Sequence, residues 1–204
     1  MAGPQPEGTS PFLAILSRLK YIERWSLMRN SRPENLSEHS LEVAMIAHAL
    51  CVIANVRHGR HLDESRAALL GMYHDASEII TGDMPTPVKY GDGRLRDAYK
   101  DVEGRARRRL LDTLPADLRP ALERAFVAGE GEDERYVARL VKAADRLSAL
   151  IKCLEERACG NSEFVTAEEA TREKLRRMRQ ELPEVDEFMD EFLPPYGRTL
   201  DQLL

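Results

Sequence analysis

The chain has 204 residues, 43% of them hydrophobic, which is enough to bury one substantial core and close to the usual size of a single domain. Its formal net charge of -5 excludes the concentrated positive face that grips long nucleic acid, and leaves room for a small anionic substrate. The longest nearly uninterrupted apolar stretch, Val43 to Val56, contains His48 and Asn55 and reads as too short to cross a bilayer.

Met1 to Ser10 lacks the basic start and apolar run of a signal peptide and is expected to be a flexible extension (residues 1–10) ahead of one domain (residues 11–204). A cytoplasmic protein with no membrane partner is therefore expected. Cys51 stands alone, and Cys153 and Cys159 fall on different sides of one predicted helix, so all three read as reduced thiols.

Phe12, Ile15, Leu16, Leu19 and Ile22 share one stripe and predict a helix from Phe12 to Arg24, ending near Trp25. A polar loop with Pro33 follows, after which Asn35 or Ser37 caps a second helix running to about Val56. Leu41, Val43, Met45, Ile46, Leu50, Val52 and Ile53 make that helix apolar on more than one side, the pattern of a central element. Asp63 caps a third helix, which carries Ala67, Leu70, Tyr73 and His74 and stops at Gly82. In Asp83-Met84-Pro85-Thr86-Pro87, two prolines without N–H groups predict an ordered, non-helical wall.

Leu95 to Leu114 reads as a charged outer helix, Leu118 to Val127 as a short helical piece, and Gly129 to Glu134 as a surface turn. Tyr136 to Ala158 is a strong helix terminated by Gly160, and Thr166 to Phe192 is a last amphipathic one, closed before Pro194-Pro195. No period-two alternation is sustained, so the expected fold class is all-α, a single helical bundle.

Chemistry is suggested by polar residues inside otherwise apolar helices: His39, the doublet His74-Asp75, and Asp145 among Val141, Ala144 and Leu147. An ionised aspartate in a core persists only beside a cation, and one divalent metal is a partner all four residues can share. Two imidazoles and two carboxylates suit Mn²⁺, Co²⁺, Fe²⁺ or Zn²⁺ better than Ca²⁺. Taken singly, each has a plainer reading: His39 as a first-turn histidine, Asp145 in an ion pair with Arg146 or Lys142. Their joint occurrence favours the metal. On a continuous helix Glu78 follows His74 by four and Asp75 by three, so it faces the same side and can exchange a proton with the attacking water. His48, His58 and His61 read as structural.

Ser37-Glu38-His39-Ser40, Tyr73-His74-Asp75-Ala76-Ser77-Glu78, Thr81 through Lys89, and Lys142-Ala143-Ala144-Asp145 resemble the bacterial YfbR-type 5′-deoxynucleotidases of the HD-domain superfamily. The likeness extends from Leu16-Ser17-Arg18-Leu19-Lys20, through Arg24-Trp25-Ser26-Leu27-Met28-Arg29, to Gly160-Asn161. The resemblance implies His39, His74, Asp75 and Asp145 as ligands of one divalent ion such as cobalt or manganese, and Glu78 as the acid/base. It also implies Arg24 orienting the phosphate, Trp25 shaping a pocket that favours deoxyribose, Asp83, Met84, Pro85 and Thr86 contacting the nucleoside, and Lys89 assisting with charge. With no histidine beyond His74, a second metal is not expected.

The implied reaction is hydrolysis of a deoxynucleoside 5′-monophosphate to deoxynucleoside and phosphate by a homodimeric enzyme. Rival readings are an HD phosphohydrolase for triphosphates, cyclic nucleotides or alarmones, and a helical nucleotide sensor without turnover.

Overall fold

A computed structural model describes residues 8–85 and 92–204. Thr86 and Lys89, with Pro87, lie outside the described residues, as does most of the expected N-terminal extension. Ten α-helices occur among the described residues: α1 (Phe12–Leu16), α2 (Leu36–His58), α3 (Glu64–Tyr73), α4 (Glu78–Thr81), α5 (Gly93–Leu111), α6 (Arg119–Glu123), α7 (Glu132–Ala158), α8 (Val165–Arg179), α9 (Pro183–Glu187) and α10 (Leu200–Leu203). The all-α expectation holds, with one addition: two short strands, β1 (Glu23–Arg24) and β2 (Glu34–Asn35), pair antiparallel.

The predicted helix from Phe12 to Arg24 is broken. α1 stops at Leu16, a 3₁₀ turn carries the chain to Tyr21, and Ile22 is extended. The competing force is backbone pairing: Glu23 sits opposite Asn35, Arg24 opposite Glu34, and Leu36 N–H donates to the Ile22 carbonyl. A helix cannot supply those bonds because its own carbonyls are already engaged.

Asn35 caps α2, its side chain accepting from the N–H groups of Ser37 and Glu38 while Glu38 reaches back to the Asn35 N–H. α2 is long and apolar enough to cross a membrane by length and composition, more so than the Val43 to Val56 stretch suggested. Its Val43, Ala47, Leu50, Cys51 and Ala54 are instead buried in the main core with Leu140, Ala144, Leu147 and Ile151 of α7. α3 lies against both. Gly71 lets α3 press onto α2, since a Cβ there would stand 2.8 Å from the Cα of Ala44.

A smaller core joins α1 to the end of α5 and to Phe126, with Phe12, Ala76, Leu110 and Leu111 buried together. Ala76 follows the His74-Asp75 doublet, so this second core fixes the turn on which the doublet rides. The last predicted helix is also divided. α8 ends at Arg179, Leu182 is extended and Pro183 restarts the chain as α9 followed by a π-turn.

Candidate active site

His39 sits at the start of the second turn of α2, fully buried. His74 closes α3 in helical geometry, Asp75 follows in a turn, and Asp145 lies in the middle of α7. Close packing of α2, α3 and α7 brings them to one point. His39 Nε2 is 3.5 Å from Asp75 Oδ2 and 3.3 Å from Asp145 Oδ1, while His74 Nε2 is 3.0 Å and 4.0 Å from the same two oxygens. Donor atoms of His39, His74 and Asp145 all fall within 4.8 Å of one another.

An ion with bonds of about 2.1 Å sets neighbouring ligands about 3.0–3.4 Å apart, so the 3.0, 3.3 and 3.5 Å spacings lie at or near that range while the 4.0 Å pair is wider. The tautomers agree. Ser148 Oγ donates to Glu42 Oε2 at 2.5 Å, so its oxygen is left to accept from His39 Nδ1 at 3.0 Å; His74 Nδ1 donates to the Gly71 carbonyl at 2.7 Å. Both Nε2 atoms therefore point inward, each able to offer a lone pair to a metal once its ring is neutral, and neither of these buried atoms has a hydrogen-bond partner of good geometry. The donor set fits a divalent transition metal.

The electrostatics also favour positive charge there. Burial works against a cationic His74, but the carboxylates of Asp75 and Asp145 outweigh it and push the imidazole up to about 9. Asp145, despite burial, is drawn down to about 2 by His39 and His74, and Asp75 is held well below the usual carboxylate range by the same two rings. In the metal-free chain a proton on His74 satisfies carboxylates that a divalent ion would satisfy better.

Glu78 is buried at the start of α4, but not on the helix of His74 as the spacing predicted. α3 ends at Tyr73, and the chain passes through turns in which Ala76 N–H donates to Tyr73 O and Glu78 N–H to Asp75 O. These i to i+3 bonds replace the predicted i+4 relation to His74. Gly82, at φ 72°, ends α4 and turns the chain towards half-buried Asp83, Met84 and Pro85. The Tyr99 hydroxyl of α5 lies 3.3 Å from both Thr81 Oγ1 and Gly82 O and steadies that exit.

Arg24 and Trp25 stand on the hairpin rather than at a helix end. Burial opposes the Arg24 charge, but Glu34, Asp145, Asp75 and Asp83 together raise its pKa, so the guanidinium lies in the field of the centre's carboxylates. Arg24 Nη1 donates to Glu34 Oε2 at 2.6 Å. Trp25 is the one described non-glycine residue with positive φ, at 57°, and its ring lies 5.3 Å from that of Phe164.

Glu34, Glu42 and Ser148 are not singled out by the sequence. Two had a signal: Ser148 follows Asp145 by three on α7, and Glu42 follows His39 by three on α2, spacings that share a helix face. Glu34 had none, because strand pairing alone brings it to Arg24. Removing the Ser148 hydroxyl should free His39 to rotate, and Ser148→Ala is expected to weaken metal affinity about 10–100-fold in a chelator competition. An unchanged affinity would count against the hydroxyl as the group that orients His39.

Glu156 ties the Ser31–Arg32 segment to α7. It accepts from Ser31 N–H at 2.8 Å and Asn161 Nδ2 at 2.7 Å and pairs with buried Lys152, whose Nζ also donates to Arg32 O at 2.5 Å. Burial alone would raise its pKa; the bonds from Lys152, Asn161 and Ser31 outweigh that and lower it to about 2. The stability this carboxylate adds is full above its unfolded value and lost as pH falls towards about 2. Glu156→Gln should flatten the acid limb of a thermal-midpoint profile between about pH 4.5 and 2. A parent-like slope there would show that other carboxylates carry the acid limb.

Comparison with known proteins agrees with this architecture. A family model described as 5′-deoxynucleotidase YfbR-like matches residues 11–196. A 5′-deoxynucleotidase of Erwinia tasmaniensis and 5′-deoxynucleotidase YfbR of Escherichia coli are each 47% identical to the chain over 194 residues, covering 95% of it and 96% of each relative. The crystal structure of an HD-domain phosphohydrolase from Listeria innocua shares the fold, with a TM-score of 0.77 at 23% identity, over 90% of this chain and 86% of that one. Metal-suited side chains meeting where three core helices touch, within a family match spanning nearly the whole sequence, place this chain in the 5′-deoxynucleotidase YfbR-like family.

Proposed function

We propose that the protein is a 5′-deoxynucleotidase: it hydrolyses 2′-deoxyribonucleoside 5′-monophosphates to deoxynucleosides and phosphate at one divalent metal, held by His39, His74, Asp75 and Asp145. The observation that carries the reading is the convergence of two inward Nε2 atoms on two carboxylates, with Arg24 in their field. When bound, a divalent ion supplies Lewis acidity and makes water a competent nucleophile near neutral pH.

Arg24 donates from its guanidinium to the phosphate oxygens, lowering the cost of gathering negative charge on phosphorus. Glu78 accepts the proton of the attacking water and returns it to the leaving 5′-oxygen. Trp25, rigid on Phe164, walls the sugar so that a 2′-hydroxyl is crowded and unpaired. Asp83, Met84, Pro85 and Thr86 contact the nucleoside and Lys89 adds positive charge. Residues 1–10 form an extension to a single catalytic domain, residues 11–204.

Cobalt or manganese is the proposed physiological ion. The cytoplasm is the proposed compartment, consistent with three free cysteines of which Cys51 and Cys153 are buried. A homodimer belongs to the same reading. Leu41, Met45 and Val56, at 55%, 58% and 77% exposure, fall with Val52 on one outward stripe of α2, more apolar surface than one helix usually leaves in water. Light scattering should return the mass of two chains, and Met45→Glu that of one.

The activity is tested by stripping the metal, reloading Co²⁺, Mn²⁺, Zn²⁺ or Mg²⁺ separately, and following phosphate release from matched deoxy- and ribonucleoside 5′-monophosphates. Metal-dependent release favouring deoxy substrates is expected. Release from triphosphates or cyclic nucleotides alone would overturn the substrate class.

A further inference from the structure

Glu34 has no assigned task, yet its position is unusual. Its Oε2 accepts from Arg24 Nη1 at 2.6 Å and from Trp25 Nε1 at 3.1 Å, so one oxygen holds the guanidinium and the indole together. The Arg24–Glu34 pair is largely buried, with side chains 11% and 13% exposed, and strand pairing fixes its backbone because Arg24 is the direct partner of Glu34. Trp25 reaches this oxygen from an unusual backbone geometry. Its φ of 57° is a left-handed conformation that a non-glycine side chain disfavours, so surrounding contacts must hold it. Those contacts are in place: Met28 N–H and Asn30 Nδ2 donate to the Trp25 carbonyl at 2.9 and 3.1 Å, and Phe164 backs the ring. The Arg24 guanidinium itself lies 5.7 Å from the centroid of the indole.

We propose that Glu34 is a positioning residue that couples phosphate orientation to sugar selection, by holding the phosphate-directed Arg24 and the sugar-directed Trp25 on one carboxylate oxygen. The inference rests on the roles given to those two residues under Proposed function. Its physical content is separate: a single acceptor sets the angle of the indole and the direction of the guanidinium, so neither can shift without straining its bond to the other's anchor. Sugar discrimination here depends on a residue that need not touch the sugar.

Trp25 is the single tryptophan of the chain, so intrinsic fluorescence reports on this residue alone. In the metal-free protein, Glu34→Ala should shift the emission to the red and raise acrylamide quenching about twofold as the indole loses its partner and gains water. In the reloaded enzyme it should lower the ratio of deoxy to ribo kcat/KM about tenfold. Glu34→Gln keeps a neutral acceptor of the same reach. It should restore the parent emission and sugar ratio, yet leave KM for deoxynucleotides raised about tenfold, because the charge-assisted bond that directs Arg24 is weakened to a neutral one.

A merely structural role would not produce that split. Parent-like emission and sugar ratio in Glu34→Ala, or a Glu34→Gln no better than Glu34→Ala, overturns the proposal. A parent enzyme with no sugar preference would sink the role of Trp25 and the coupling with it, while the metal-free fluorescence still decides whether Glu34 holds the indole.

Discussion

Glu78→Gln should lower kcat about 10²–10⁴-fold while leaving metal affinity within a few-fold of the parent. Glutamine keeps the size and hydrogen-bonding reach of the side chain but cannot take a proton, so the change isolates proton transfer from packing. The site makes packing a real concern. Glu78 is only 4% exposed and opens α4 directly after the turn carrying Asp75, so Glu78→Ala would also remove buried volume beside a ligand. Single-turnover phosphate release at saturating substrate reads the chemical step, and chelator competition reads the metal. A kcat within tenfold of the parent would remove Glu78 from proton transfer. A parent protein that binds metal and deoxynucleotide but never releases phosphate would favour the sensor reading.

The second large effect is loss of the metal. Asp145→Asn keeps the shape of a side chain in the middle of α7 but removes the charge that, with Asp75, draws a cation to the two histidines. Phosphate release should fall to background. A readout free of turnover accompanies it: metal at about 100 times its dissociation constant stabilises a folded site by about 2.7 kcal/mol, and should raise the parent melting temperature by about 5–10 °C. Asp145→Asn should show almost none of that rise. An equal rise in parent and variant would place the bound ion elsewhere. The same titration in the parent should weaken as pH falls below about 9, where a proton on His74 competes for Nε2, since its raised pKa favours the protonated form at neutrality.

Much of the site was legible in the sequence because buried charge is expensive. His39, the His74-Asp75 doublet and Asp145 stood out as polar interruptions in apolar helices, and a cation was the partner that made sense of all four. The helices that carry His39 and Asp145 were legible for the same kind of reason, since the apolar periodicity of Leu36–His58 and Glu132–Ala158 is dense and long. The spacing argument for Glu78 assumed one helix from His74 onwards, but that helix ends at Tyr73 and Glu78 opens α4 after a turn.

What the chain encodes by itself is local and additive: helix periodicity, the Asn35 cap, the glycine stops and the chemical character of the metal donors. What only the tertiary structure decided depends on residues far apart competing for the same groups. Pairing of Glu34–Asn35 with Glu23–Arg24 overrode the apolar stripe of Phe12 to Ile22, turned Trp25 left-handed and gave Arg24 its partner. Packing against α3 and α7 made α2, whose composition alone would suit a membrane, the central helix of a core. Spacing puts Ser148 beside Asp145 and Glu42 beside His39, but the bond between the two, across 106 residues, formed only once their helices touched.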